Sequence, residues 1–455
     1  MRVERVEEGG GVGMAGESGR RVVPTVGVLL LAAALAAGCT SSGSSAPQAT
    51  TSAQSLRGEQ VHVLGLWSGP ELDNFMKVTS AWEANTGGVV AWQATQDPTA
   101  ALAASAPAEG APDIAVLPNL ELMQQLAAQH KLVALDSVMD MKQVDRDYAP
   151  AWINLGSYND KLYGIFYKVT DKATVWYNPK AFAAANYAVP KTWKDMVSLA
   201  DKMVADGRTP FSVVAASGPA NGWALTDWIS EIVLNNCGPD VYDRWISAKL
   251  PWTDACIKQS FDMFDTIVRT KGYVLGGAQR ITSTTDAAGG DPLYTNPPSA
   301  YMYYLASFAQ GFIAANFPKL TAGTDYSFFP FPGINPKYSG SVAVGADIVV
   351  MTHDTPAARS FMAYLAGAPA QEAWIKLGGF TSVNRSVPPD TYSDPVARAI
   401  AKQLTDSKVI RFSAGDMMPA ALQRAWWSAM LDLVNDPDKL DSILDSLTST
   451  AQSSD

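Results

Sequence analysis

The chain has 455 residues, more than one ordinary hydrophobic core takes in, so two domains or lobes are expected. Hydrophobic residues make up 47% and charged residues 17%, a globular composition that excludes a largely disordered chain. The formal charge is −10, and beyond residue 38 the chain keeps 30 basic against 40 acidic residues with no basic block, which argues against nucleic acid as a partner.

The first element reads as an export signal. Arg20 and Arg21 precede the apolar run 22–37, which Pro24 interrupts and which falls short of the roughly 20 residues a membrane span needs. Ala37-Gly38-Cys39 is similar to the lipobox of bacterial lipoproteins, although Ala36 stands where a lipobox favours Leu. Residues 1–38 are therefore expected to be a signal peptide and Cys39 the lipidated residue. Residues 39–59 are rich in Ser, Thr, Ala, Gln and Gly and read as a flexible tether. The expected location is the extracytoplasmic face of the cell membrane. Cys237 and Cys256 are the other cysteines, and in an exported protein two such residues are expected to pair. The alternative is two buried thiols. The three histidines, at 62, 130 and 353, are scattered and support no metal site.

The body begins with a strand over 61–67. Helical spacing of Leu72, Phe75, Met76, Thr79 and Trp82 follows, then Gly87-Gly88 and a strand over 89–92. A strand over 112–117 and a helix over 120–128 continue the alternation, the signature of a layered α/β domain. Runs 163–168 and 174–178 read as strands, and Thr192 as the N-cap of the next helix. Helical patterns near 223–236 and 254–270 surround the two cysteines. Residues 327–331 and 341–351 read as extended. Everything after Thr355 reads as helices, over 355–366, 369–377, 393–405, 419–434 and 437–448.

No nucleophile elbow, zinc-protease helix, P-loop or dinucleotide fingerprint is present. Aromatic residues are abundant, with 13 Trp, 16 Tyr and 15 Phe. Flat aromatic faces with carboxylates, amides and Lys or Arg nearby suit a sugar, whose ring has an apolar C–H face and a hydroxyl edge.

Leu66-Trp67-Ser68-Gly69, Pro112-Asp113-Ile114, the 163–165 Tyr-Gly-Ile, the 175–179 Val-Trp-Tyr-Asn-Pro and the 189–193 Val-Pro-Lys-Thr-Trp carry a resemblance, as do the Trp-rich run 222–228 and the Lys-Leu-Gly-Gly-Phe at 376–380. On these motifs the body, about residues 60–450, resembles the family 1 extracellular solute-binding proteins, the group that includes maltose-binding protein, and most of all its α-glucoside branch. The resemblance implies a two-lobed α/β fold of the periplasmic-binding-protein-like type II, with three hinge crossings. The implied N-lobe is 60–166 plus 334–380 and the C-lobe 167–333 plus 381–455, crossing near Tyr167, Phe331-Pro332 and Phe380-Thr381. It also implies a monomeric binding protein, not an enzyme and without a cofactor, that delivers a small carbohydrate to ABC permease subunits by hinge closure.

Candidate ligand residues follow from the same motifs. Trp67 and Ser68 end the first strand, Asn119 follows the 112–117 strand, and Glu71 and Asp97 are further acidic candidates on that side. Asp171 stands at an acidic sugar-binding position, with Lys168 in the same stretch and Trp176 in the Trp-Tyr-Asn run. Trp223 and Asp227 lie four apart at a helix start, so they share a face. Gly345 and Asp347 lie in a returning strand, and Trp426 and Trp427 in a late helix, where one of the two is expected to face the cleft. Core packing is the competing reading for Trp67 and Trp228. Two other functions remain open at this point: a same-fold receptor for a non-sugar solute such as a quaternary amine, and an anchored glycoside hydrolase.

Overall fold

The computed structural model describes residues 56–95, 97–104 and 111–453; the signal run, Cys39 and most of the tether lie outside them. Strands β1 (Gln60–Gly65), β2 (Val89–Ala94) and β3 (Ile114–Leu117) are parallel, with Gln60 opposite Val89 and Val63 opposite Ile114. Helices Gly69–Thr86 and Pro98–Ala104 make the connections. All four residues of β3 are buried and apolar, as expected of a parallel strand covered on both faces.

A two-strand hairpin of β4 (Ser157–Tyr158) and β5 (Lys161–Leu162) turns on Asn159 and Asp160, with φ of 48° and 60°. Both central residues are left-handed, and Asn and Asp tolerate that conformation better than most side chains. The chain then enters β6 (Gly164–Asp171), β7 (Thr174–Tyr177), β8 (Phe211–Ser212), β9 (Met302–Tyr304), β10 (Ser327–Pro330), β11 (Val342–Met351) and β12 (Ile410–Phe412). One sheet has the order β12-β11-β3-β1-β2, with β6 antiparallel on β11; a second has the order β10-β7-β9-β8. This is the two-lobed α/β architecture, one sheet at the heart of each lobe.

The chain passes between the sheets from β6 to β7 and from β10 to β11, and near the first of these passages the Thr381 carbonyl accepts the Val169 N–H at 3.1 Å. The first passage comes later than Tyr167. Strand β6 stays paired with β11 as far as Asp171, opposite Val344, so the switch falls at Lys172-Ala173. A second difference is β12. The stretch after Thr355 is not wholly helical, because Ile410–Phe412 pairs with Val342–Val344 and joins the first sheet. Three residues are too few to display a period in the sequence.

The helices follow local chemistry closely. Thr192 and Asp195 form a reciprocal capping box at the start of Trp193–Ala205. The helix Trp223–Cys237 starts after Gly222, whose φ is 100°, and a side chain there would strike the Trp427 carbonyl. Only glycine serves both the angle and the close approach. Cys237 at the end of this helix is joined by a disulfide to Cys256 on the helix Ala255–Arg269, with the Cα atoms 6.0 Å apart.

Candidate functional site

The site is built on the β6–β11 ladder. Lys168 lies opposite Asp347 and Thr170 opposite Gly345. Because side chains alternate along a strand, these four residues share one face, and all four are half-buried, while Val169 and Ala346 between them are buried on the other face. Two groups of charges rise from this floor.

The first group belongs to the first sheet. Lys168 pairs with Glu71, from the first turn of the helix Gly69–Thr86. Asp347 accepts a hydrogen bond from the Trp67 indole Nε1 at 2.9 Å. Burial raises the Asp347 carboxyl above its ordinary range, and Lys168 and the Trp67 N–H offset only part of that. The Trp67 ring itself is sealed. It stacks on Trp92 at 5.6 Å and meets Phe75 and Trp374 edge-on at 5.0 and 4.9 Å. Its role is to donate to Asp347 from within the core, and no ring face is left for a ligand.

The second group stands where β6 runs on toward the second sheet. Lys172 Nζ lies 2.9 Å from Asp227 Oδ2 and 3.6 Å from Asp416 Oδ2. Ser413 Oγ donates to Asp227 Oδ1 at 2.7 Å. Burial opposes the Lys172 charge, but Asp227 and Asp416 outweigh it, so its pKa is raised and the ammonium is held. Burial also raises Asp227, against the pull of Lys172. Gly345 makes the arrangement possible, since a Cβ there would sit 3.3 Å from Lys172 Cε. The half-buried Trp223 presents its ring to Lys172 Nζ at 5.4 Å and lies 6.0 Å from Phe308. Phe308, at 38%, is among the few large apolar side chains exposed on the described surface.

Two cavities flank this region. One of about 490 Å³ is lined by Lys168, Thr170, Ser307, Phe308 and the turn Gly378-Gly379. The other, of about 630 Å³, lies between Glu121 and Asn154 on one side and Asp243 and Arg411 on the other.

The remaining sequence candidates separate into three sets. Trp427 is half-buried, with its carbonyl beside Gly222. Ser68, Asp97 and Asn119 stand at helix starts: Asp97 accepts the Ala100 N–H and Asn119 the Leu122 N–H, both at 2.9 Å, while exposed Ser68 precedes Gly69–Thr86. Three residues are corrected to the interior. Trp176 is fully buried and donates Nε1 to the Leu305 carbonyl at 2.8 Å. Trp426 is fully buried, edge-on to Trp245 and Trp252. Asp171 is fully buried, with Oδ1 on the Ala173 N–H at 2.8 Å, and burial pushes its carboxyl up to about 7. Sequence reasoning missed Lys172, Ser413, Asp416 and Phe308. Two of them carry a signal: Asp171-Lys172 is a charged pair inside an apolar run, and Phe308 precedes a helix as Trp223 begins one. Ser413 and Asp416 lie in an irregular turn and carry none.

The description "bacterial extracellular solute-binding protein" belongs to the family model that matches residues 68–372. The chain is 32% identical over 381 residues to the osmoprotective compounds-binding protein GgtB of Synechocystis, covering 84% of this chain and 90% of that one. It is 31% identical over 397 residues to the alpha-glucosides-binding periplasmic protein AglE of Rhizobium meliloti, covering 85% and 86%. Among solved structures, the bacterial solute receptor AcbH, with its preference for β-D-galactopyranose, superposes with a TM-score of 0.74 at 19% identity, covering 87% of this chain and 99% of that one. At that identity the likeness speaks for the fold.

Proposed function

Since the chain belongs to the bacterial extracellular solute-binding protein family, whose members serve ABC transporters as binding proteins and not as enzymes, we propose that it captures a small neutral saccharide of the α-glucoside class between its two lobes. The observation that carries this reading is the Lys172–Asp227–Asp416 group beside the ring faces of Trp223 and Phe308. Aromatic faces suit the C–H side of a pyranose, and the charged groups beside them suit its hydroxyls. The name of AglE, an alpha-glucosides-binding protein, supports the same class. A quaternary amine fits less well, because the Lys172 ammonium beside the Trp223 ring repels a second cation there, whereas a neutral sugar meets no such repulsion.

In this reading Lys168, Glu71, Asp347 and Gly345 form the side of the groove contributed by the first sheet. Trp223, Asp227, Lys172, Asp416, Phe308 and Trp427 form the other. The lobes are 60–166 with 334–380 and 167–333 with 381–455, apart from residues 167–171 of β6 and from β12, which pair in the first sheet. Hinge closure on the sugar presents a monomeric protein, anchored through lipid on Cys39, to the permease subunits.

A thermal-shift screen over maltose, trehalose, sucrose, galactose and glycine betaine tests the ligand class. A bound sugar at about 100 times its Kd raises stability by about 2.7 kcal/mol. Stabilisation by betaine alone would overturn the reading. The anchor is tested by Cys39→Ala, which is expected to leave the protein unprocessed or to release it from membranes. A variant that is processed normally and stays membrane-bound removes the lipid from the account.

A further inference from the structure

Along the helix Trp223–Cys237 every residue from Ala224 to Asn235 is buried, yet four positions spaced by four are not simple apolar packing: Trp223, Asp227, Glu231 and Asn235. Residues at i and i+4 lie one above another, so these four form one stripe. Its first two members belong to the site already described. The last two do not touch it. Glu231 is fully buried; its Oε1 accepts the Ala343 N–H at 2.7 Å and its Oε2 accepts from Asn235 Nδ2 at 2.9 Å. Asn235 Nδ2 also reaches the Ser341 carbonyl at 3.3 Å, and the Asn235 carbonyl accepts the Asn335 N–H at 3.1 Å.

Ala343 is the pivot. It stands at the start of β11, where the chain returns from the second sheet, and its carbonyl accepts the Lys172 N–H at 3.0 Å. A closed ring of contacts results. Lys172 Nζ holds Asp227, one helical turn links Asp227 to Glu231, Glu231 holds Ala343, and Ala343 holds the Lys172 backbone. We infer that Glu231 is a positioning residue for the ligand groups: it locks the platform helix to the crossing strand, so that Trp223 and Asp227 keep their place against Lys172 when the hinge moves. The inference rests on the functional reading of Trp223 and Asp227, but the ring exists without a ligand and can be tested without one.

The chemistry of Glu231 fits the role. A charged carboxylate with no cation beside it is costly in the interior, and the neutral acid is tolerated when hydrogen-bonded. Burial holds this carboxyl well above the usual range, with Asp171 and Asp227 adding to the rise. An amide oxygen can replace the acceptor for the Ala343 N–H, whereas an alkyl group leaves that N–H buried and unpaired.

The test is hydrogen exchange on the sugar-free protein, comparing wild type with Glu231→Gln, Glu231→Leu and Asn235→Ala. Positioning predicts that Glu231→Leu speeds exchange about tenfold in two separate segments, 342–344 and 223–228, through a local opening. The end of the helix near the disulfide keeps its protection, and Glu231→Gln, which keeps the acceptor for the Ala343 N–H but not the one for Asn235 Nδ2, exchanges more slowly than Glu231→Leu. Asn235→Ala, which removes the second tether, speeds the same two segments less and keeps the test decisive if the Leu variant does not fold. Acceleration confined to 342–344 would show that Glu231 only satisfies a strand amide. That outcome, unchanged exchange in both segments, or a Gln variant as impaired as the Leu variant overturns the inference. Failure of the sugar screen alone leaves this result standing and strikes only the ligand class.

Discussion

The two ends of the crossing strands carry the same ingredients arranged to opposite effect. Lys168 has Glu71, Asp347 and Trp67 around it; Lys172, four residues on and just past the end of the same strand, has Asp227, Asp416 and Trp223. In the first group the lysine pair is open to water, and the tryptophan is the buried member, offering only its N–H. In the second the lysine pair is buried, and the tryptophan is half-open, offering its face. The first group therefore anchors a carboxylate, and the second prepares a surface on which a ring can lie. Identical residue types take opposite roles because the partners that enclose them differ.

Paired truncations are the strongest way to break this comparison. Trp67→Ala removes a ring packed against four aromatics, and the expected cost is about 3–5 kcal/mol of stability, the range for core tryptophans. Its folded fraction should bind the sugar found in the screen with nearly unchanged affinity. Trp223→Ala should do the reverse, weakening that sugar by about 2 kcal/mol or more, over tenfold in Kd, with a smaller change in melting point. Calorimetric titration and a melting curve on each variant decide the matter. A common pattern in both variants would mean that the two groups are not functionally distinct.

These two tryptophans also mark how far the sequence could be read. The position of Trp223 was legible because its features are local: a glycine before it, a helix start, and a carboxylate four residues on. Trp67 looked equally suitable, at the end of a buried strand. What sets it apart is its neighbours Phe75, Trp92 and Trp374, brought from three separate elements, and no local pattern reports that enclosure. Trp176 and Trp426 misled for the same reason. Helix starts such as Thr192 and the strand–helix alternation at the beginning of the body were read correctly, because capping and periodicity act over a few residues. Strand β12 was not, since its pairing with β11 supplies the reason for its extended form. Lys172 was overlooked because a strand normally points neighbouring side chains to opposite faces. Here Asp171 and Lys172 are both buried, at the point where β6 ends.

The interior beside the second group holds two further buried acids, Asp171 and Glu231, which sharpens the comparison through pH. The folded protein holds the Asp171 proton up to about 7, from an ordinary value of 3.8. Between those limits the folded state binds more protons than the unfolded chain, so the Asp171 share of stability is full below about pH 4 and is lost as pH rises toward 7. The shift amounts to about 4 kcal/mol. Glu231 contributes with the same sign, because its carboxyl is also raised. Asp171→Asn should remove the Asp171 part alone. Denaturant titrations at pH 4.5, 6 and 7.5 should then show the variant gaining on wild type as pH increases. Parallel curves would mean that Asp171 is ionised in the fold throughout.

The smallest effect is expected at Glu71. It lies in the first turn of its helix, where a carboxylate meets the partial positive charge of the helix end, and it pairs with Lys168 across a half-open surface. Solvent screens such a pair, and exposed ion pairs contribute about 0–1 kcal/mol. Glu71→Gln keeps the length and shape of the side chain and removes the charge, so its melting point should stay close to that of wild type and any loss should shrink further at high salt. A different result would carry more information than the small number suggests. Lys168 lies opposite Asp347 on the floor of the groove. Freed from Glu71, it can turn toward that buried carboxylate and draw its charge away from the opening. If Glu71→Gln leaves stability alone but lowers sugar affinity, the Lys168–Glu71 pair belongs to the ligand surface, and the first group does more than anchor a carboxylate. If both stability and affinity are unchanged, the binding work falls to the group around Lys172.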